Sequence, residues 1–201
     1  MMQSRPSSKS CARETPASTR MQRLREATRL VHARIEASLP LLAPALTLAT
    51  YTRVIEAFHG FYAPMEPRLA GSFQHRAKVP MLVADLCALG KTAAEIDAIP
   101  RCADLPQVTC ASQAIGVLYV FEGATLGGQI IGRHLRDGLR IDAGNGAAFF
   151  GGYGEETGAM WRRFSQHVDT SLIVETEAAV DAAVETFEKL QVWLDAALAR
   201  P

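Results

Sequence analysis

Apolar residues recur at intervals of three and four through nearly every segment of this chain, and nowhere do they alternate with polar residues for long enough to make a β-strand. That spacing predicts an all-α fold. The first helix is expected over 19–38, with Leu24, Leu30, Val31 and Ile35 among its apolar positions and Pro40 and Pro44 beyond its end. A second from about residue 50 puts Val54, Phe58 and Phe61 on one stripe, with a bend expected at Pro64. Shorter helices are expected over 81–89 and 93–98, broken by Pro100 and Pro106, and then a long one over 110–135. The stretch 136–154 carries six glycines and two phenylalanines and reads as loop and turn. Helices over 156–171 and 175–199 complete a bundle.

Composition narrows this to one domain: 201 residues with 48% hydrophobic and 21% charged side chains suit a single substantial core. Residues 1–18 are rich in Ser, Arg, Lys and Pro and lack the apolar core of a secretory signal, so they read as a disordered tail ahead of a folded domain over 19–201. Twenty-one basic residues balance twenty-one acidic ones, and this gives no reason to expect nucleic acid or an anionic membrane as partner. The apolar runs fall short of a membrane span. Cys11, Cys87, Cys102 and Cys110 form no C-x-x-C pair, which fits a reducing cytoplasm.

Two segments carry candidate chemistry. At 100° per residue, Arg25, Thr28, Arg29, Ile35 and Glu36 fall within about 60° of the direction of His32, so one helix face mixes an imidazole, cations and apolar groups. Heme suits such a face: its ring needs apolar walls, its iron a neutral imidazole nitrogen, and its propionates cations such as Arg25 and Arg29. Glu36, one turn after His32, is placed to orient the imidazole directly or through water. Alone, His32 reads more readily as an ordinary, partly buried histidine beside a solvated arginine face. Within the long helix, Gly116, Gly123 and Gly127 fall within about 40° of one another and Gly128 follows, although each glycine costs roughly 1 kcal/mol relative to alanine there. Something must approach that backbone closely. It is either another helix or, with His32 opposite, a planar macrocycle.

The chain resembles the bacterial heme oxygenases that produce biliverdin. The pieces that carry the resemblance are Leu24-Arg-Glu-Ala-Thr28 ahead of His32 with Glu36 after it, Phe61-Tyr-Ala-Pro-Met-Glu66, Tyr119-Val-Phe-Glu-Gly-Ala-Thr-Leu-Gly-Gly128, Phe149-Phe-Gly-Gly-Tyr-Gly154 with Trp161 and Phe164, and Thr186-Phe-Glu-Lys-Leu-Gln-Val-Trp193. The resemblance implies a bundle with heme between a proximal and a distal helix. It makes His32 the proximal iron ligand, Arg25 with Tyr119 propionate partners, and Gly123 and Gly127 the residues flanking the oxygen site. Ala124 departs from animal members, which carry an aspartate there that organises distal water, and this leaves open which groups deliver protons. Thr125 and Gln129 are candidates, with helix packing as their plainer role.

The same resemblance implies that heme is both substrate and cofactor, cleaved with O2 and external electrons to biliverdin, carbon monoxide and ferrous iron. No dinucleotide-binding glycine turn and no iron–sulfur cysteine pattern occurs, so no bound flavin or NAD is expected. A ferredoxin or flavoprotein reductase is the implied donor, and a bacteriophytochrome a candidate recipient of biliverdin. The alternatives are a heme-binding or heme-transfer protein without turnover, and a thiamin-hydrolysing relative of the same scaffold, for which only Cys110 could serve as nucleophile. His59 is expected in the core or an interface rather than as a second pocket residue, His75, His134 and His167 at the surface, Glu122 in a structural interaction, and Tyr153 and Trp161 either in the core or at a heme edge.

Overall fold

The computed structural model describes residues 18–69 and 76–199, and among these are eight α-helices and no strand. They are α1 (Arg20–Ser38), α2 (Leu48–Met65), α3 (Val79–Ala88), α4 (Ala93–Asp97), α5 (Ala111–Leu139), α6 (Ala148–Gly151), α7 (Thr157–Thr170) and α8 (Thr176–Leu198). The expected tail lies outside the described residues except for its last position. Local chemistry sets several of the starts. Thr19 caps α1 reciprocally with Gln22, Thr92 caps α4 with Glu95, and the Thr47 side chain accepts the Thr50 amide at the head of α2. Pro64 does not end α2 at once, but the helix tightens into a 3-10 turn at Glu66–Leu69, immediately beyond it.

The expected loop over 136–154 needs correcting. α5 runs through Gly138 to Leu139 and ends on Arg140 in the left-handed conformation at φ 60°, and the aromatic pair forms the short helix α6. Buried polar groups hold that short helix, because four residues cannot stand alone. The Asp85 carboxylate accepts the amides of Ala148 and Phe149 at 2.6 and 2.8 Å, and the Tyr51 hydroxyl donates to the Gly146 carbonyl at 2.8 Å. Phe149 and Phe150 are thereby pinned into the core, although the glycines around them make the stretch read as loop and turn.

α8 runs through the centre and packs against α1, α2 and α5. Its approach to α5 is closest at Gly116, where any Cβ would collide with the Ala179 carbonyl and with Ala183. From that pinch α8 holds α1 and α5 apart farther along, and Phe187 and Leu190 of α8 line the space left between them. α5 is long and apolar enough to cross a membrane, yet more than half of its apolar stretch is buried inside the bundle, as befits a core helix.

Candidate functional site

The space between α1 and α5 is a cavity of about 520 Å³, within the usual range of preformed cofactor pockets. Every α1 residue that the helical wheel groups with His32 lines it: Arg25, Thr28, Arg29, Ile35 and Glu36. The facing wall is α5, which contributes Tyr119, Gly123, Ala124 and Gly127. Both halves of the expected site therefore meet in one place.

On the α1 wall the His32 imidazole is half exposed and stands edge-on to Phe187, ring centres 5.5 Å apart at 73°. Glu36 Oε1 lies 3.6 Å from His32 Nε2, too far for a hydrogen bond, so the carboxylate acts on the ring by its charge or through water. Arg25 and Arg29 are solvent-exposed and form no ion pair among the described residues, leaving two cations at the rim for an anionic group. Thr28 donates to the Leu24 carbonyl at 2.7 Å, and its Oγ1 stands 3.4 Å from the Tyr119 hydroxyl, linking the two walls at the end nearer Arg25.

On the α5 wall the glycines divide by purpose. A Cβ built on Gly123 or Gly127 meets nothing within 4 Å, because both look into the open cavity. Gly116 and Gly128 serve the plainer role: one admits α8, and the other admits the Phe150 carbonyl of α6. The shared wheel face is thus split between ligand space and helix packing. Thr125 is buried, with its hydroxyl donating to the Glu122 carbonyl at 2.7 Å, and Gln129 is exposed; neither lines the cavity.

The deep wall contains a group that sequence reasoning missed. Tyr62 of α2 lines the cavity, is fully buried, and stacks on Phe121 of α5 with ring centres 3.8 Å apart, yet its hydroxyl has no hydrogen-bond partner. Burial, reinforced by the charges of Glu66 and Glu122, pushes its pKa up, so it remains a proton-bearing donor. Its position was legible in principle: it follows Phe58 by one helical turn on the stripe that α2 buries.

His75 lies outside the described residues. Trp161 lines the cavity and Tyr153 does not; Tyr153 instead donates to Glu122 at 2.7 Å. His59 is a core histidine with a buried, unpartnered Nδ1, whose pKa is lowered to about 4 by burial and by the Arg101 charge, Asp97 opposing. His134 is half-buried rather than exposed, with Nε2 3.1 Å from the Ala43 carbonyl, and His167 is exposed. Cys110 is an exposed thiol at the head of α5 and is not part of the cavity wall.

Known proteins resemble the chain in both sequence and fold. The family described as Heme oxygenase matches residues 18–196. A curated Heme oxygenase from Xanthomonas campestris pv. campestris is 32% identical over 132 residues, covering 61% of this chain and 74% of that protein. The crystal structure of the Neisseria meningitidis heme oxygenase superposes with a TM-score of 0.74 at 20% identity, covering 92% of this chain and 96% of the other. Heme oxygenase-1 from Synechocystis, solved in complex with heme, superposes at 0.66 with 18% identity, covering 89% and 92%.

Proposed function

The chain belongs to the heme oxygenase family, and on that premise we propose that the cavity between α1 and α5 is where heme is bound and opened. The reaction is oxidative cleavage of heme to biliverdin, carbon monoxide and ferrous iron. One observation carries the assignment of the site: a single cavity has an imidazole on one wall and bare glycine backbone on the other. The residues present fit the group. Ile35, Phe187 and Leu190 supply apolar surface, Arg25 and Arg29 supply unpaired cations at the rim for two propionates, and the missing Cβ atoms at Gly123 and Gly127 leave room above the ring plane.

When bound, heme supplies the iron that activates O2 and is itself the ring that is cleaved. The protein's part is to hold, orient and protect. His32 would hold the iron through an imidazole nitrogen, and the Glu36 carboxylate, 3.6 Å from Nε2, would orient the ring by its charge or through water. Arg25, Arg29 and Tyr119 would hold the propionates at the rim. Gly123 and Gly127 admit a small ligand on the opposite face, while the apolar wall excludes bulk water. Ala124 cannot ionise, and Tyr62, which lines the cavity while its hydroxyl is buried away from open space, would keep that side of the pocket apolar.

O2 and externally supplied electrons complete the scheme, with a ferredoxin or flavoprotein reductase as donor and, as a further partner, a bacteriophytochrome receiving biliverdin. The three described cysteines are free thiols, which supports a reducing, cytoplasmic setting. The comparisons give no support to a carrier without turnover. The test is a hemin titration of the wild type and His32→Ala, followed under air with ascorbate or reduced ferredoxin. We expect stoichiometric binding, loss of the Soret band and a rising biliverdin band, all dependent on His32. Binding without ring opening would leave a carrier, and absence of binding would sink the assignment of the cavity.

A further inference from the structure

Behind the glycine wall lies a buried charge cluster, no member of which lines the cavity. Glu122 is 1% exposed, and its carboxylate pairs with the Arg76 guanidinium and accepts hydrogen bonds from Lys78 Nζ at 2.8 Å and the Tyr153 hydroxyl at 2.7 Å. Lys78 is wholly buried, with Nζ 2.5 Å from the Tyr153 hydroxyl and 4.0 Å from the centre of its ring. Arg76 lies over the Phe164 ring at 5.7 Å, and the Lys78 and Val79 amides donate to the Glu66 carboxylate at the end of α2. Five parts of the chain therefore converge here: the end of α2, the segment entering α3, the middle of α5, the turn after α6, and α7.

Such a cluster is a poor way to gain stability. Taking three ions out of water costs several kcal/mol each, and apolar replacements of similar volume are often neutral or better. What a fully satisfied buried network does well is hold one geometry. The geometry at stake is that of α5, because Glu122 stands between two parts of the distal wall. Phe121 before it carries the Tyr62 ring, and Gly123 after it has no side chain with which to pack. A helix stretch with bare glycines over a cavity must be held from behind.

We propose that Glu122, clamped by Arg76, Lys78 and Tyr153, is a positioning residue for heme cleavage: it fixes the Gly123–Gly127 backbone, and through Phe121 the Tyr62 ring, on the cavity wall opposite His32. The proposal rests on the reading of the cavity given above. Glu122→Gln strands two buried cations and can cost the fold, so the decisive variants are Lys78→Met and Tyr153→Phe, each of which leaves the Arg76–Glu122 pair intact.

Two readouts test it. The first is amide hydrogen exchange over residues 119–128 in the heme-free protein. The second is the pocket signature of the hemin complex, namely the C–O stretching frequency of its reduced CO form and the midpoint of its ferric acid–alkaline transition. We expect stoichiometric hemin uptake by both variants, faster exchange confined to that stretch, a shifted C–O frequency and a midpoint moved by about half a pH unit or more. Variants whose exchange and spectra overlay the wild type, whatever their melting temperature, would overturn the proposal and leave the cluster a matter of stability alone. Variants that all lose the fold would overturn it too, since the cluster would then be a requirement of folding. Wild-type protein that takes up no hemin would instead overturn the reading of the cavity, and the proposal with it.

Discussion

At the residue scale the two most informative groups are buried polar atoms without partners. A buried unsatisfied hydroxyl costs roughly 1–3 kcal/mol, so the orphaned Tyr62 hydroxyl lowers stability unless the site uses it. Tyr62→Phe should be at least as stable as the wild type, by up to about 1 kcal/mol in urea unfolding, with hemin uptake unchanged. A variant less stable than the wild type would show that the hydroxyl has a partner in solution. His59 sends its consequence to stability instead. Its pKa is lowered from 6.5 to about 4 in the fold, so between those values the unfolded chain binds the extra proton. Stability associated with neutral His59 is therefore full above about pH 6.5 and declines as pH falls toward 4, by on the order of 2–3 kcal/mol. Unfolding free energies at pH 7 and pH 4.5 should differ more in the wild type than in His59→Gln, and equal differences would refute the assignment.

At the scale of elements, α5 shows how one periodic signal can carry two meanings. Its glycines share a face, but the helix is long enough to cross α8 at one end, the cavity in its middle and α6 beyond. Gly116→Ala and Gly128→Ala drive a methyl group into neighbouring backbone and should cost about 1–3 kcal/mol. Gly123→Ala and Gly127→Ala add a methyl group facing open space, and with better helix propensity should raise the stability of the heme-free protein by up to about 1 kcal/mol. The same methyl groups would crowd the distal side and slow heme cleavage. Thermal melts of the four heme-free variants, set beside single-turnover rates for the latter two, check both halves. The wheel could group these residues because spacing is local; it could not divide them, because the division depends on what lies opposite.

At the scale of the whole molecule the bundle separates two walls that the sequence places about ninety residues apart, and heme should join them. Hemin at a hundredfold excess over its Kd should stabilise the fold by about 2.7 kcal/mol, with much of that lost in His32→Ala; a hemin-independent melting temperature would contradict a cavity site. The sequence by itself determined the all-helical class, most helix positions, the α1 face around His32 and the candidacy of Gly123 and Gly127, because 3.6-residue periodicity, caps and glycine costs act within a few turns. Only the tertiary structure decided that Gly116 and Gly128 are packing sites, that Phe149 and Phe150 form a helix held by Asp85 and Tyr51, that Tyr62 lines the cavity with its hydroxyl buried and unpartnered, and that Glu122 gathers Arg76, Lys78 and Tyr153. Each of these depends on groups 20 or more residues apart meeting where water is excluded, and the worth of a polar atom there is set by neighbours that no local spacing reveals.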